Sequence, residues 1–90
     1  VEKYVSIARL LGLQNFNTIT TVRAFVNWVQ FMDKEMNIPL SVSQIGNITE
    51  SEYRSKIPAM AEAALADGCT ATNPKVPTKA DIINIYENLW

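Results

Sequence analysis

Apolar residues recur at helical spacing from the first positions of the chain. Val1, Tyr4, Val5, Ala8 and Leu11 share one face of a helix over 1–11. Gly12 follows, where a glycine with positive φ would end the helix. The pattern is already running at Val1 and the first residue is not methionine, so the chain reads as a piece of something longer. A longer pattern covers 18–36, with Ile19, Val22, Phe25, Val26, Val29, Met32 and Met36 in helical register. Trp28 and Phe31 widen its apolar surface to a second face. Asn17 or Thr18 suits the N-cap, Asn37 suits the position just past the last turn, and Pro39 blocks continuation. A helix that is apolar on more than one side needs neighbours on more than one side. In so short a chain, this predicts partners elsewhere in a larger protein or a second copy in a homo-oligomer.

Ser41-Val42-Ser43-Gln44 has the Ser-x-x-Gln form of a capping box opening a short helical turn that Gly46 would end. Thr49-Glu50-Ser51-Glu52 is a second box. The helix after it carries Tyr53, Ile57, Met60, Ala64 and Leu65 on one face, and Asp67-Gly68 closes it. Pro58 falls inside this run, lacks an amide donor and crowds the carbonyl of Arg54. A kink or break near Lys56–Ile57 is expected, or else two helices with Pro58 opening the second. Thr78-Lys79-Ala80-Asp81 resembles a third box, with Asp in the usual Glu place. It opens a last helix with Ile82, Ile83, Ile85, Tyr86, Leu89 and Trp90. No stretch alternates with period two, so no sheet is expected. The expected fold is all-α: one unit over 1–90, built as a multi-helix array of five to six helices with short loops.

Composition narrows the function. The chain has 90 residues, 48% of them hydrophobic and 19% charged, which places it with folded domains rather than disordered segments. A net charge of −1 is a poor footprint for nucleic acid, so a helix-turn-helix DNA-binding reading is weak. No run is long and apolar enough for a membrane span. A single cysteine makes no internal disulfide, and with no secretory pattern the expected compartment is the cytoplasm. Without a secretory pattern, Asn47-Ile48-Thr49 is a chance sequon. There is no histidine, hence no Ser–His or Cys–His dyad and no histidine-containing metal set.

Other polar and aromatic groupings have structural explanations. Glu50 and Glu52 point to different faces of a helix and favour its first turn electrostatically. Glu62, Asp33, Lys34 and Glu35 read as solvated charge, while Arg9 and Arg23 read as surface groups that snorkel or pair. Phe25, Trp28 and Phe31 are core or interface residues, and Trp90 docks against the helical body.

The stretch DGCTATNPKVPTKADI, residues 67–82, holds Cys69 with Pro74 and Pro77. As a connector it needs no further purpose. Asn73-Pro74 makes a turn, Val76-Pro77 extends the chain, Thr78 caps the next helix, and Cys69 is a small buried hydrophobe. A reactive thiol would need a nearby positive group, and the nearest in sequence is Lys75.

The same stretch carries a family resemblance. Asp67, Cys69-Thr70, Asn73-Pro74-Lys75, then Thr78, Asp81-Ile82 and an aromatic Trp90, resemble the end of the iron-containing alcohol dehydrogenases. That family closes with an alanine-rich helix, a D-x-C-T-x-x-N-P-[RK] loop and a T-x-x-D-I helix start. The alanine-rich run here is Ala59 to Asp67. Upstream, Glu2-Lys3-Tyr4 with Ile7-Ala8 and Leu11-Gly12 is similar to the family's EKY-x-x-IA-x-x-[LM]G helix. Asn37-Ile38-Pro39 with Ser41 and Gln44-Ile45-Gly46 is similar to its GIP-x-x-[IL]-x-x-x-G segment, with Asn37 in place of the usual glycine. The resemblance implies the C-terminal helical region of a two-domain, dehydroquinate-synthase-like enzyme. Such enzymes interconvert alcohols and aldehydes with NAD(P) and one divalent metal, commonly Fe²⁺ and sometimes Zn²⁺, held by an Asp and three His.

By that resemblance, the metal ligands and the nucleotide-binding domain lie upstream. This piece alone has no catalytic, cofactor-binding or metal-binding residue and no turnover. Cys69 is the one position carried over, as a wall of the substrate pocket. The alternative reading is an independent helical interaction module that pairs through helix 18–36.

Overall fold

The computed structural model describes residues 1–13 and 17–90. They contain four α-helices: α1 (Glu2–Leu10), α2 (Thr18–Glu35), α3 (Glu50–Ala66) and α4 (Lys79–Glu87). Two short 3-10 turns, Val42–Gln44 and Thr70–Thr72, complete the list, with no strand among the described residues. The all-α expectation holds, but the count of five to six helices is not confirmed. The chain divides into two units, Val1–Leu40 and Ser41–Trp90.

In the first unit α1 packs on α2. Both helices end as their sequences suggest. Gly12 has φ +71° and Asn37 has φ +56°. Around Gly12, its N–H reaches the Arg9 carbonyl at 3.0 Å and the Leu13 N–H reaches Ala8 at 2.8 Å. Asn37 repeats the pattern, its N–H donating to Lys34 at 3.0 Å and the Ile38 N–H to Asp33 at 2.8 Å. Both are Schellman closures, which satisfy carbonyls that the helix itself leaves open. Asn17 caps α2, its side chain accepting from the Thr20 N–H at 2.9 Å.

Among the described residues of this unit only Ala8 and Thr21 are fully buried, two small residues that allow the helices to approach closely. Phe25, Trp28 and Met32 continue the covered face of α2 from Thr21 at helical spacing and are half-buried. Tyr4 meets Phe25 with ring centroids 6.3 Å apart, and Phe25 stacks on Trp28 at 6.4 Å. Ile19, Val26, Val29, Phe31 and Met36 stay exposed. The apolar surface of α2 is therefore wider than one neighbouring helix covers.

In the second unit α3 and α4 pack together around Tyr53, Ile57, Ala61 and Ile82. Tyr53, Ile57 and Ala61 are spaced four apart on the inner face of α3. Burying a side chain the size of Ile57 is worth about 1.5–3 kcal/mol. Ala61 belongs to this face although the apolar pattern pointed to Met60, Ala64 and Leu65. Met60 and Ala64 are half-buried and Leu65 is exposed.

Two local expectations are corrected. Pro58 neither breaks nor divides the helix: α3 runs unbroken from Glu50 to Ala66. A proline inside a helix costs ~3 kcal/mol, and packing on both sides of it, at Tyr53, Ile57 and Ala61, offsets the lost hydrogen bond. The Ser41 capping box does not form. Its side chain makes no cap hydrogen bond, and its hydroxyl instead pairs with that of Ser43 at 2.8 Å. A three-residue 3-10 turn offers no helix for a box to open. The other two boxes do form. Thr49 and Glu52 exchange hydrogen bonds at the start of α3, and Thr78 and Asp81 do so at the start of α4.

Candidate functional site

The loop from Asp67 to Thr78 folds back over the end of α3 through its own short polar side chains. The Asp67 carboxylate accepts the Cys69 N–H at 2.7 Å, a local turn of the kind aspartate favours. The Thr70 hydroxyl donates to the Ala64 carbonyl, tying the loop to the last turn of α3. The Thr72 hydroxyl donates to the Cys69 carbonyl at 2.8 Å. The Asn73 amide donates to the Lys75 carbonyl, rounding the corner that Pro74 begins. Thr78 then caps α4, its hydroxyl accepting the Asp81 N–H at 3.1 Å.

These bonds leave an open cleft of about 780 Å³ between the end of α3, the loop and α4. Met60, Ala63 and Ala64 form one wall, Ile82, Ile85 and Tyr86 the opposite one, and Cys69, Thr70, Asn73 and Pro77 the rim. A mostly apolar concavity with a few polar groups is the usual form of a small-molecule site. Cys69 is exposed on this rim, which corrects the expectation of a small buried hydrophobe. The bonds of Asp67 and Thr72 to its own main chain turn the residue outward.

Ion pairs form on the same two helices and the loop between them. The Lys79 ammonium pairs with Glu62 across α3 and α4, and Lys75 stands 3.8 Å from Asp81. The hydrogen bond from Lys79, followed by its charge, holds the Glu62 carboxyl below the ordinary carboxylate range. Asp81 is also lowered, first by the Thr78 N–H, then by the Thr78 hydroxyl and then by Lys75. These groups stay ionised at neutral pH and offer no proton to a reaction. Among the described residues no three His, Cys, Asp or Glu side chains come together as a metal site. The described residues around the cleft therefore do not fit a metal.

Sequence reasoning singled out Cys69 alone. Met60, Ile85 and Tyr86, which the sequence places only in the apolar pattern of their helices, join Cys69 around the cleft. Ile85 is 57% exposed while Ile82 is buried, a difference that only the packed helices reveal. In the first unit a smaller apolar groove of about 370 Å³ runs along α2 between Tyr4, Val22, Phe25, Val26, Val29 and Gln30. Among the described residues no helix is long and apolar enough to cross a membrane.

The model of the Fe-containing alcohol dehydrogenase family, C-terminal, matches residues 1–90. The chain is 31% identical over 90 residues to an NADPH-dependent butanol dehydrogenase of Clostridium saccharobutylicum, covering 100% of this chain and 23% of that one. It is 34% identical over 91 residues to a lactaldehyde reductase of Escherichia coli, covering 99% of this chain and 22% of that protein. An aldehyde-alcohol dehydrogenase of Clostridium acetobutylicum is 31% identical over 90 residues, which make up 10% of its length. The chain thus spans less than a quarter of these curated relatives. The match over every residue, together with the Cys69–Lys75 loop and the capped α4, places the chain in the Fe-containing alcohol dehydrogenase family, as its C-terminal region.

Proposed function

We propose that these residues are the C-terminal helical segment of a longer enzyme that interconverts alcohols and aldehydes with NAD(P). The observation that carries this reading is the family match over residues 1–90, shared with relatives named as dehydrogenases and reductases. In this reading an upstream nucleotide-binding domain of the same chain is the partner of these helices. It holds the dinucleotide, and the Fe²⁺ or Zn²⁺ is bound by residues outside these ninety. The apolar cleft between α3 and α4 borders the substrate, and Cys69 stands in its wall without taking part in the chemistry. The enzyme is cytoplasmic.

The test is alcohol-dependent reduction of NAD(P) by the longer parent chain, with and without added Fe²⁺, beside residues 1–90 alone. The expected result is metal-dependent turnover by the parent and none by the short piece. Turnover by residues 1–90 alone would sink this division of labour. Absence of turnover from a metal-loaded parent would sink the dehydrogenase reading.

One observation favours a second reading, an independent module pairing through α2. The groove along Val22, Val26 and Val29 is apolar and uncovered. On that reading residues 1–90 dimerise by themselves, which sedimentation measures directly. A monomer at micromolar concentration removes it.

A further inference from the structure

We infer that Tyr53 is a positioning residue for the cleft beside Cys69, acting through the end of α4. The inference rests on the reading that this cleft borders the substrate. The last carbonyls of a helix lack donors of their own and must find them elsewhere. At the end of α4 and in the residues just past it, groups far away in sequence supply donors beside the local ones. The Tyr53 hydroxyl donates to the Tyr86 carbonyl at 2.7 Å, beside the local Leu89 N–H at 3.1 Å. The Val42 N–H donates to the Leu89 carbonyl at 2.7 Å, and the Ser43 hydroxyl to the Trp90 carbonyl at 2.6 Å. The Tyr53 and Trp90 rings lie 5.5 Å apart, so the same side chain both packs on this end and hydrogen-bonds to it. Tyr53 is only 8% exposed and cannot turn away to water without opening the α3–α4 contact.

Tyr86 is where this latch and the cleft meet. Its carbonyl takes its shortest hydrogen bond from Tyr53, with the Leu89 N–H as second donor, and it lines the cleft with Ile82 and Ile85 within the same turn of α4. The Tyr53 hydroxyl therefore fixes where the α4 wall stands relative to Met60 and Cys69. Removing only the hydroxyl keeps the ring packing and releases the tie. The reacting atoms are not held by these residues, so the wall meets the part of an alcohol remote from its reacting carbon. Loosening the wall then weakens binding of long alkyl chains and leaves short ones unaffected.

The experiment uses the metal-loaded parent chain with NAD(P), and measures kcat and KM for ethanol, butanol and hexanol. Tyr53→Phe is expected to raise the KM for hexanol roughly fivefold, the scale of one lost hydrogen bond. Its kcat values and its ethanol KM are expected to stay within about twofold of the parent. Ser43→Ala releases the same helix end from the other side and is expected to move the hexanol KM in the same direction. A merely structural role would lower apparent kcat for all three alcohols alike and leave KM unchanged, and that result would overturn the inference. Identical KM values in the parent and both variants would overturn it as well. An unsubstituted parent that turns over no alcohol overturns the dehydrogenase reading itself, and this inference with it.

Discussion

The hydroxyl of Thr70 donates to the main-chain carbonyl of Ala64, which pins the Cys69 loop across the last turn of α3. The carbonyl belongs to the group that a helix end leaves open, and the bond is partly buried. Thr70→Val keeps the shape and removes the donor. It is expected to cost about 1–2 kcal/mol of unfolding free energy, read from urea denaturation. Thr70→Ser keeps the hydroxyl and is expected to lose much less. Equal losses from both substitutions would mean that the methyl group, not the hydrogen bond, holds the loop.

Asn37 closes α2 with φ +56°, a left-handed position that glycine adopts without strain. Asn37→Gly is expected to leave stability within a few tenths of a kcal/mol, since both residues serve at this position. Asn37→Val brings a branched side chain into the same conformation and is expected to cost about 1–2 kcal/mol. Thermal unfolding distinguishes the two.

The Schellman closures, the Asn17 cap and the Thr49 and Thr78 boxes were legible because each is a local match between residue type and backbone need. The Cys69 loop was legible as a loop for the same reason. What escaped the sequence depends on contacts distant along the chain. Ala61 is buried because α4 comes close to it, and alanine carries little apolar signal of its own. Pro58 stays helical because packing outweighs its local penalty. The Ser41 box failed because the chain there makes only a 3-10 turn, and the neighbouring Val42 N–H and Ser43 hydroxyl serve the end of α4 instead. The cleft around Cys69 needed both helices in place before Met60 and Ile85 could be seen as its walls.

Ala61 is fully buried on the α3 face that meets α4. Ala61→Leu is expected to force the helices apart and cost about 1–3 kcal/mol, as overpacking usually does. The same change at exposed Ala66 is expected to be nearly silent. Urea midpoints for the two variants measure the difference.

Glu52 and Asp81 both have lowered carboxyl pKa values. For each, the main-chain N–H of the N-cap threonine is the largest cause and its hydroxyl the next. Their folded values lie below the unfolded values of about 4.3 and 3.9. Their stabilisation is therefore present above those unfolded values and is lost as pH falls through the lowered folded ones. Glu52→Gln and Asp81→Asn keep an acceptor at the cap but remove the titration. Each is expected to flatten the acid side of a plot of urea midpoint against pH. An unchanged slope would show that other carboxylates dominate acid unfolding.

The central claim is that the Cys69 loop faces the substrate of a metal-dependent dehydrogenase without taking part in the chemistry. The most direct measurement is the rate at which iodoacetamide alkylates Cys69 in the metal-loaded parent chain, followed by mass spectrometry of the peptide carrying it. The rate is compared with and without saturating cofactor and butanol, in enzyme whose turnover has been verified. The account predicts at least a severalfold slowing by cofactor and alcohol together, because the occupied cleft covers an otherwise exposed thiol. An alkylation rate that ignores both ligands while the enzyme turns over would contradict it.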